Sequence, residues 1–266
     1  MTDTTNYLFD TGTDQGREHM DHLAHLLDAS TFAMLGPTGL PSGWRCLDLG
    51  AGGGSVSRWL ADQVGPTGEV VAIDLDTTQL PQHPSITVAQ HDINDGLTGH
   101  LGGPYDLVHA RLTLMHLPRR EEVLAMLVNQ LAPGGWLVVG DVSDRPCTVL
   151  GARSERDVAV WEKIQHLSHR VVGPLGGLDV DWASQIHAAM VAAGLTDIHG
   201  TETSQTVTGG TPGMLLHALL NEQAHEPLVA AGATREEMTR YQELCRDPQF
   251  RSWFYQLVCL RGRTPS

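Results

Sequence analysis

One lysine, four cysteines and a 5% share of aromatic residues are the scarcest features of this 266-residue chain. The lysine is Lys163; arginine supplies every other basic side chain, and 17 basic residues face 31 acidic ones for a net charge of −14. Nucleic acids and anionic membranes are held mainly by clustered Lys and Arg, so this balance argues against both as partners. Cys46, Cys147, Cys245 and Cys259 are too scattered for a zinc ligand pair. A chain this long needs no disulfide staples, so reduced, buried thiols in a cytoplasmic protein are expected. Met1 to Asp10 lacks the positive n-region and apolar h-region of a secretory signal. No apolar run approaches the roughly 18 residues that a membrane span requires.

What is present suits one large domain with an appended segment. Hydrophobic residues make up 41% and charged residues 18%, which excludes a disordered, collagen-like or coiled-coil chain. Residues 1–16 read as loose and polar. A helix is expected from Arg17 to Leu35, stopped by Gly36-Pro37. Strands are expected at Arg45–Leu49, Glu69–Leu75, Ser85–Ala89, Tyr105–Ala110 and Trp136–Val142, with helices at Ser55–Val64 and Glu121–Leu131. Strands alternating with helices in this way imply βαβ units and a parallel sheet. The alternation breaks after Pro146. Helices follow at Ser154–Val172, with Ser154 as N-cap and Asp157 three residues on, and at Trp182–Ala193. A strand near Asp197–Thr203, helices near Pro212–Glu222 and Arg235–Cys245, and a last strand near Arg251–Leu260 complete the reading.

The segment Cys46-Leu47-Asp48-Leu49-Gly50-Ala51-Gly52-Gly53-Gly54-Ser55 lies between an expected strand and an expected helix. Glycines there let the backbone turn tightly and approach a ligand, and the helix N-terminus suits a carboxylate or phosphate. A dinucleotide fingerprint needs a third glycine where Ser55 stands, and a P-loop needs a lysine that the loop lacks. An acid two residues before Gly-x-Gly-x-Gly is met in full by Asp48, Gly50, Gly52 and Gly54.

That pattern resembles the first motif of the class I S-adenosylmethionine-dependent methyltransferases. Four further segments resemble the family in order: Asp74 and Leu75 after the second strand, Asp92-Ile93 after the third, Tyr105 to Arg111 as the fourth, and Leu131-Ala132-Pro133-Gly134-Gly135 before the fifth. The resemblance implies a Rossmann-like α/β fold. It consists of a seven-stranded, mostly parallel sheet with helices on both faces, the last strand antiparallel at one edge, and a helical cap. It implies cofactor contacts at Asp48, Gly50, Ala51 and Gly52, at Asp74 for the ribose, and at Leu75, Asp92 and Ile93 for the adenine. His109, Ala110 and Arg111 would line the methionine part and the methyl-transfer site. The methyl donor would be S-adenosylmethionine, leaving S-adenosylhomocysteine.

Methyl transfer from a sulfonium is an in-line displacement that mainly asks for alignment and exclusion of water. His116 is the candidate catalytic base, since imidazole titrates near neutrality; it could instead pack beside Pro118. The Asn/Asp-Pro-Pro-Tyr/Phe motif of DNA-base methylation is replaced by His-Ala-Arg-Leu after the fourth strand. The resemblance is nearest to bacterial enzymes that tailor secondary metabolites, with a small-molecule acceptor and oxygen favoured over nitrogen or carbon. Residues 1–40 would form an N-terminal helical cap, 41–145 the cofactor-binding half, 146–180 a cap insertion and 181–266 the C-terminal half of the sheet. Phe32, Trp161, His166, His169 and Val172 are candidate pocket residues. His19, His22 and His25 are spaced by three, but no acid or thiol cluster completes a metal site, and none is expected. A monomer or homodimer is expected. Alternatives are a member that binds S-adenosylmethionine without methylating, as a cyclase or scaffold, a peptide or protein methyltransferase, and an NAD-linked oxidoreductase.

Overall fold

The structure, a computed structural model, describes residues 14–266. The expectation for residues 1–16 therefore lies mostly outside the described residues; from Asp14 the chain is helical. In chain order the elements are α1 (Asp14–Leu35), β1 (Arg45–Leu49), α2 (Ser55–Val64), β2 (Glu69–Asp74), β3 (Ile86–Gln90), β4 (Tyr105–Arg111), α3 (Arg120–Asn129) and β5 (Leu131–Val142). They continue with β6 (Val149–Gly151), α4 (Glu155–Leu167), α5 (Trp182–Ala192), β7 (Thr196–Thr203), β8 (Thr206–Thr208), α6 (Pro212–Gln223), α7 (His225–Ala230), α8 (Arg235–Leu244), β9 (Arg251–Trp253) and β10 (Leu257–Arg263). Among the described residues no helix is long and apolar enough to cross a membrane.

The chain divides into two compact units. The sheet unit comprises residues 27–142, 181–202 and 257–266, and the second unit comprises the described residues through Leu26, 143–180 and 203–256.

The sheet unit is a Rossmann-like α/β layer with seven strands in the order β3-β2-β1-β4-β5-β10-β7. β1 pairs in parallel with β2 and β4, β2 with β3, and β4 with β5, whereas β10 runs antiparallel to β5. The parallel strands are nearly continuous apolar runs because both faces are covered: Leu47, Val70, Val71, Ala72, Ile73, Leu107, Val108, Leu137, Val138 and Val139 are all fully buried. The last strand is antiparallel as expected but forms no edge. It is inserted between β5 and β7, so both of its sides find backbone partners and β7 becomes the edge. Pro133-Gly134-Gly135, expected to precede the fifth strand, is absorbed into it. The register between β4 and β5 shifts between Tyr105 and Leu107, and Gly134 takes a φ of +74°. This is a bulge, which tolerates a proline that a regular ladder would not.

The second unit contains α4, α6, α7, α8 and a small sheet in the order β6-β9-β8. Its chain segments depart from the expected layout, in which 146–180 alone was an insertion and 181–266 continued the sheet. Residues 203–256 join 143–180 instead, and the stretch Arg251–Leu260 splits into β9 and β10, which belong to different sheets. Strands of three residues leave too little alternation to read. Ser154 does cap α4, its side chain accepting from the Asp157 N–H, while the Asp157 carboxylate turns away to Arg240 at 2.8 Å.

Candidate cofactor and methyl-transfer site

The site residues expected from the sequence gather at the carboxyl ends of β1 to β4. There the chain order reverses, since β1 leads to β2 on one side and has β4 on the other. Beyond Leu49 the backbone enters the loop through Gly50 at a φ of +67°, with Gly52 at +54° and Gly54 at +72°. The Gly50 and Ala51 N–H groups both donate to the Ile73 carbonyl, at 2.8 and 3.1 Å, which moors the loop to β2. Two of these glycines are required by space as well as by conformation. A Cβ on Gly50 would lie 2.1 Å from Thr113 Oγ1, and one on Gly54 would lie 2.2 Å from Pro81 Cδ. Gly54 is the N-cap of α2 and offers no side-chain cap, which leaves the helix's N-terminal dipole turned toward the loop.

The acid before the loop faces inward. Asp48 and His109 are neighbours in register on β1 and β4, are both fully buried, and join through Asp48 Oδ1 and His109 Nδ1 at 2.7 Å. Ser57 of α2 donates to the other carboxylate oxygen at 2.5 Å. Burial works to raise the Asp48 pKa, but the hydrogen bonds from His109 and Ser57 outweigh it and hold the carboxyl below its usual range. Asp48 and His109 thus lie beneath the loop as a tie between β1, β4 and α2.

Asp74 ends β2 with its carboxylate turned back to the loop: Oδ2 accepts from Gly52 N at 2.8 Å and Oδ1 from Asp76 N at 3.1 Å. Burial raises its pKa, against the pull of these backbone hydrogen bonds. Leu75 follows it with 54% of its surface exposed. Asp74 is in register with Gln90, so Asp92 stands two residues further along the adjacent strand end. Asp92 Oδ1 accepts from Asn94 N at 2.9 Å, and Ile93 is buried.

On the other side of the switch point, Arg111 is engaged by α1. Its Nη1 donates to Asp28 Oδ1 at 2.8 Å and to Thr31 Oγ1 at 3.0 Å, and Ser55 Oγ donates to the same Asp28 oxygen at 3.1 Å. Asp28 thereby ties α1 to both β4 and the first residue of α2. No local pattern marks this meeting, because Asp28 and Thr31 on α1 are distant in the chain from Ser55 and Arg111. Ala110 is buried beside Leu49 in register. Phe32 stacks on Trp59 with centroids 4.7 Å apart. In the second unit, Trp161 and Val172 are buried and His166 is exposed.

His116 sits half-buried in the turn after β4. Burial, aided by the nearby charge of Arg120, lowers its pKa to about 4. Such an imidazole is neutral at pH 7 and a weak proton acceptor in this ligand-free structure. Sequence reasoning missed Asp141 at the end of β5, a fully buried carboxyl whose pKa burial raises to about 8. Among the described residues no three His, Cys, Asp or Glu side chains converge as metal ligands.

A family model described as a methyltransferase domain matches residues 16–199. The chain belongs to the class I S-adenosylmethionine-dependent methyltransferases. It is 31% identical over 109 residues to the methyltransferase str2 of Strobilurus tenacellus, an alignment that takes in 41% of this chain and 39% of that protein. It therefore spans about two fifths of the length of the curated relatives it matches first. Among solved structures it resembles a phosphoethanolamine N-methyltransferase 2 of Haemonchus contortus in complex with S-adenosyl-L-methionine. The TM-score is 0.59 and the identity 18%, over 100% of this chain and 61% of that one. It also resembles a methyltransferase-like protein of Bacillus halodurans, with a TM-score of 0.56 and 17% identity over 90% and 100%. At these identities the structural likeness speaks for the fold. The donor set of this methyltransferase fits the family's cofactor: a glycine turn, an acid with lone pairs to spare at the end of β2, and an exposed Leu75 next to it. The Asp74 carboxylate accepts from Gly52 N of the loop and from Asp76 N in its own strand-end turn, and its two oxygens keep lone pairs for further donors.

Proposed function

We propose that this methyltransferase moves the methyl group of S-adenosylmethionine to a small-molecule acceptor, with oxygen as the favoured atom, in natural-product biosynthesis in the cytoplasm. The observation that carries the reading is the Asp74 carboxylate at the end of β2, joined to Gly52 and flanked by the exposed Leu75. In this reading Asp74 accepts from the ribose hydroxyls, Leu75 and Ile93 flank the adenine, and Asp92 accepts from its amino group. The loop Gly50 to Gly52 admits the amino-acid tail to close backbone approach, and Ala110 and Arg111 bound the transfer site. The cofactor supplies an electrophilic methyl on a sulfonium. The protein's share is alignment and dryness rather than strong base catalysis, consistent with the poor basicity of His116. An acceptor that sheds its own proton readily, such as a phenol or carboxylic acid, suits a site without a strong base.

The test is calorimetric titration with S-adenosylmethionine, S-adenosylhomocysteine and NAD, followed by incubation with phenolic and carboxylic acceptors and product mass. Binding of both adenosyl ligands but not NAD, and a product heavier by one methylene, is expected. Binding of NAD alone would overturn the reading. Adenosyl binding with unmethylated, rearranged product would make the chain a cyclase.

A further inference from the structure

Asp28 belongs to the sheet unit and bridges the two sides of the switch point from α1. Its Oδ1 accepts from Arg111 Nη1, at the end of β4, at 2.8 Å and from Ser55 Oγ, at the start of α2, at 3.1 Å. Both bonds fall on one oxygen, which leaves Oδ2 with lone pairs for a further donor. The pair is within reach of a ligand, since the side chains of Arg111 and Asp28 keep 12% and 20% of their surface accessible. The other acids at this end of the sheet are committed elsewhere. Asp48 is buried, with its oxygens held by His109 Nδ1 at 2.7 Å and Ser57 Oγ at 2.5 Å. Asp141 is fully buried, and Asp74 turns its carboxylate to Gly52 and Asp76 at the end of β2. Arg111 sets the opposite charge beside Asp28. Its Nη1 also donates to Thr31 Oγ1 at 3.0 Å, and the guanidinium has further N–H donors beyond these two bonds. Thr31 is oriented for this, because its own hydroxyl donates to Leu27 O at 3.0 Å and its lone pairs are left for Arg111. Asp28 and Thr31 are three residues apart on one helix, so a single face of α1 orients the ion pair.

We propose that Asp28 binds the ammonium of the amino-acid tail of S-adenosylmethionine, with Arg111 beside it as the partner of the tail's carboxylate. The proposal rests on the reading that this end of the sheet binds S-adenosylmethionine. The tail is a zwitterion, and an Asp–Arg ion pair presents the two complementary charges side by side. Each charge of the tail exchanges water for an opposite charge, and neither Asp28 nor Arg111 is left uncompensated. The acid before the glycine loop, which the family resemblance sets at the cofactor, is sealed beneath that loop in this chain. An acid carried by α1 takes over the task.

The experiment titrates wild type, Asp28→Asn and Asp28→Glu by calorimetry, with thermal unfolding to check that each is folded. The ligands are S-adenosylhomocysteine, its deaminated analogue, which keeps the carboxylate but lacks the ammonium, and methylthioadenosine, which lacks the whole tail. Wild type should bind the deaminated analogue about ten- to a hundredfold more weakly than S-adenosylhomocysteine, the span of a charged hydrogen bond. Asp28→Asn should weaken S-adenosylhomocysteine by a similar factor, add no further loss for the deaminated analogue, and leave methylthioadenosine within about twofold of wild type. Asp28→Glu, which keeps the charge on a longer stem, should recover part of the loss. An equal loss for every ligand would reduce Asp28 to a support of α1 and overturn the proposal, as would Asp28→Asn binding S-adenosylhomocysteine unchanged or more tightly. Should Asp28→Asn not fold, wild type and Asp28→Glu carry the test. The ratio of affinities for S-adenosylhomocysteine and its deaminated analogue must then differ between them, and an unchanged ratio overturns the proposal. Folded wild type that binds none of these ligands removes the S-adenosylmethionine reading and the proposal together. Binding of all of them without coupling to Asp28 removes the proposal alone.

Discussion

The two units place their polar groups in opposite ways. The sheet unit keeps its chemistry at the strand ends, carried by backbone N–H groups and by carboxylates with assigned partners: Asp48 with His109 and Ser57, Asp74 with Gly52 and Asp76. The second unit buries neutral polar side chains inside an aromatic shell. Gln165 Nε2 donates to Tyr241 Oη at 2.7 Å and approaches His217 Nδ1 at 3.1 Å, and Asn221 joins the same hydroxyl at 3.2 Å. Around them Trp161 stacks on Tyr241, and His217 meets the edges of Trp161, Phe254 and Tyr255 at 4.6 to 5.1 Å. His217 Nε2, Gln165 Oε1 and Asn221 Oδ1 are left without protein partners. The strand ends rely on backbone groups and glycine conformations that short local segments supply. An interior with unspent hydrogen-bonding capacity depends on every side chain in it.

That contrast can be broken most sharply at Asp48. Asp48→Ala leaves the buried His109 ring and the Ser57 hydroxyl unpaired, and should cost about 3–5 kcal/mol in urea unfolding; a loss below 1 kcal/mol would show the tie to be incidental. Asp74→Ala removes charge-assisted bonds at the strand end and should weaken S-adenosylhomocysteine binding by about 1.5–3 kcal/mol, with folding little changed. Equal calorimetric affinities for wild type and variant would remove Asp74 from the site.

Acid should act on buried histidines in both units, His116 in the sheet unit and three in the second. Burial lowers His217 to about 3, and His19 and His169 to about 4. In the unfolded chain these rings take up protons near pH 6.5, whereas the folded unit refuses them. Their contribution is therefore complete above pH 6.5 and lost as pH falls toward 4, by at most about 1.4 kcal/mol per pH unit for each ring. His217→Phe should flatten the pH dependence of unfolding between 6.5 and 4, and an unaltered slope would show that His217 is not excluded from protonation. At the small end, Arg156 and Glu236 meet at 2.6 Å with both side chains more than 70% exposed. Arg156→Ala should change stability by no more than about 0.5 kcal/mol, set against the large loss expected at Asp48.

The same division explains what the sequence discloses. Strand, glycine turn, helix and the acid at the next strand end are contiguous or nearly so, and each leaves a local mark: a run of Val and Ile, then Gly50 to Gly54, then Asp74. The parallel strands and the residues at their ends were legible for that reason. The inserted position of β10 was not, because no residue within it records which strands will flank it. Asp141 looked like the close of an apolar strand; its burial comes from Trp182 and the turn after β4, both remote in the chain. His116 was singled out because imidazole titrates near neutrality in water; partial burial beside Arg120, which lowers its pKa, leaves no mark in the local sequence. In the second unit Gln165, His217, Asn221 and Tyr241 come from three helices, and no spacing announces their meeting.

The place of β10 also bears on how the polypeptide is made. A ribosome delivers β5 and β7 before residues 203–256 of the second unit, yet the strand that joins them is synthesised after those residues. Throughout that interval the nascent sheet has a slot one strand wide, with two open edges that other chains could enter. Completion of the sheet is a late, long-range event. Slow synthesis or a crowded cell should therefore trap this protein as an incomplete sheet before it unravels anything near the glycine loop.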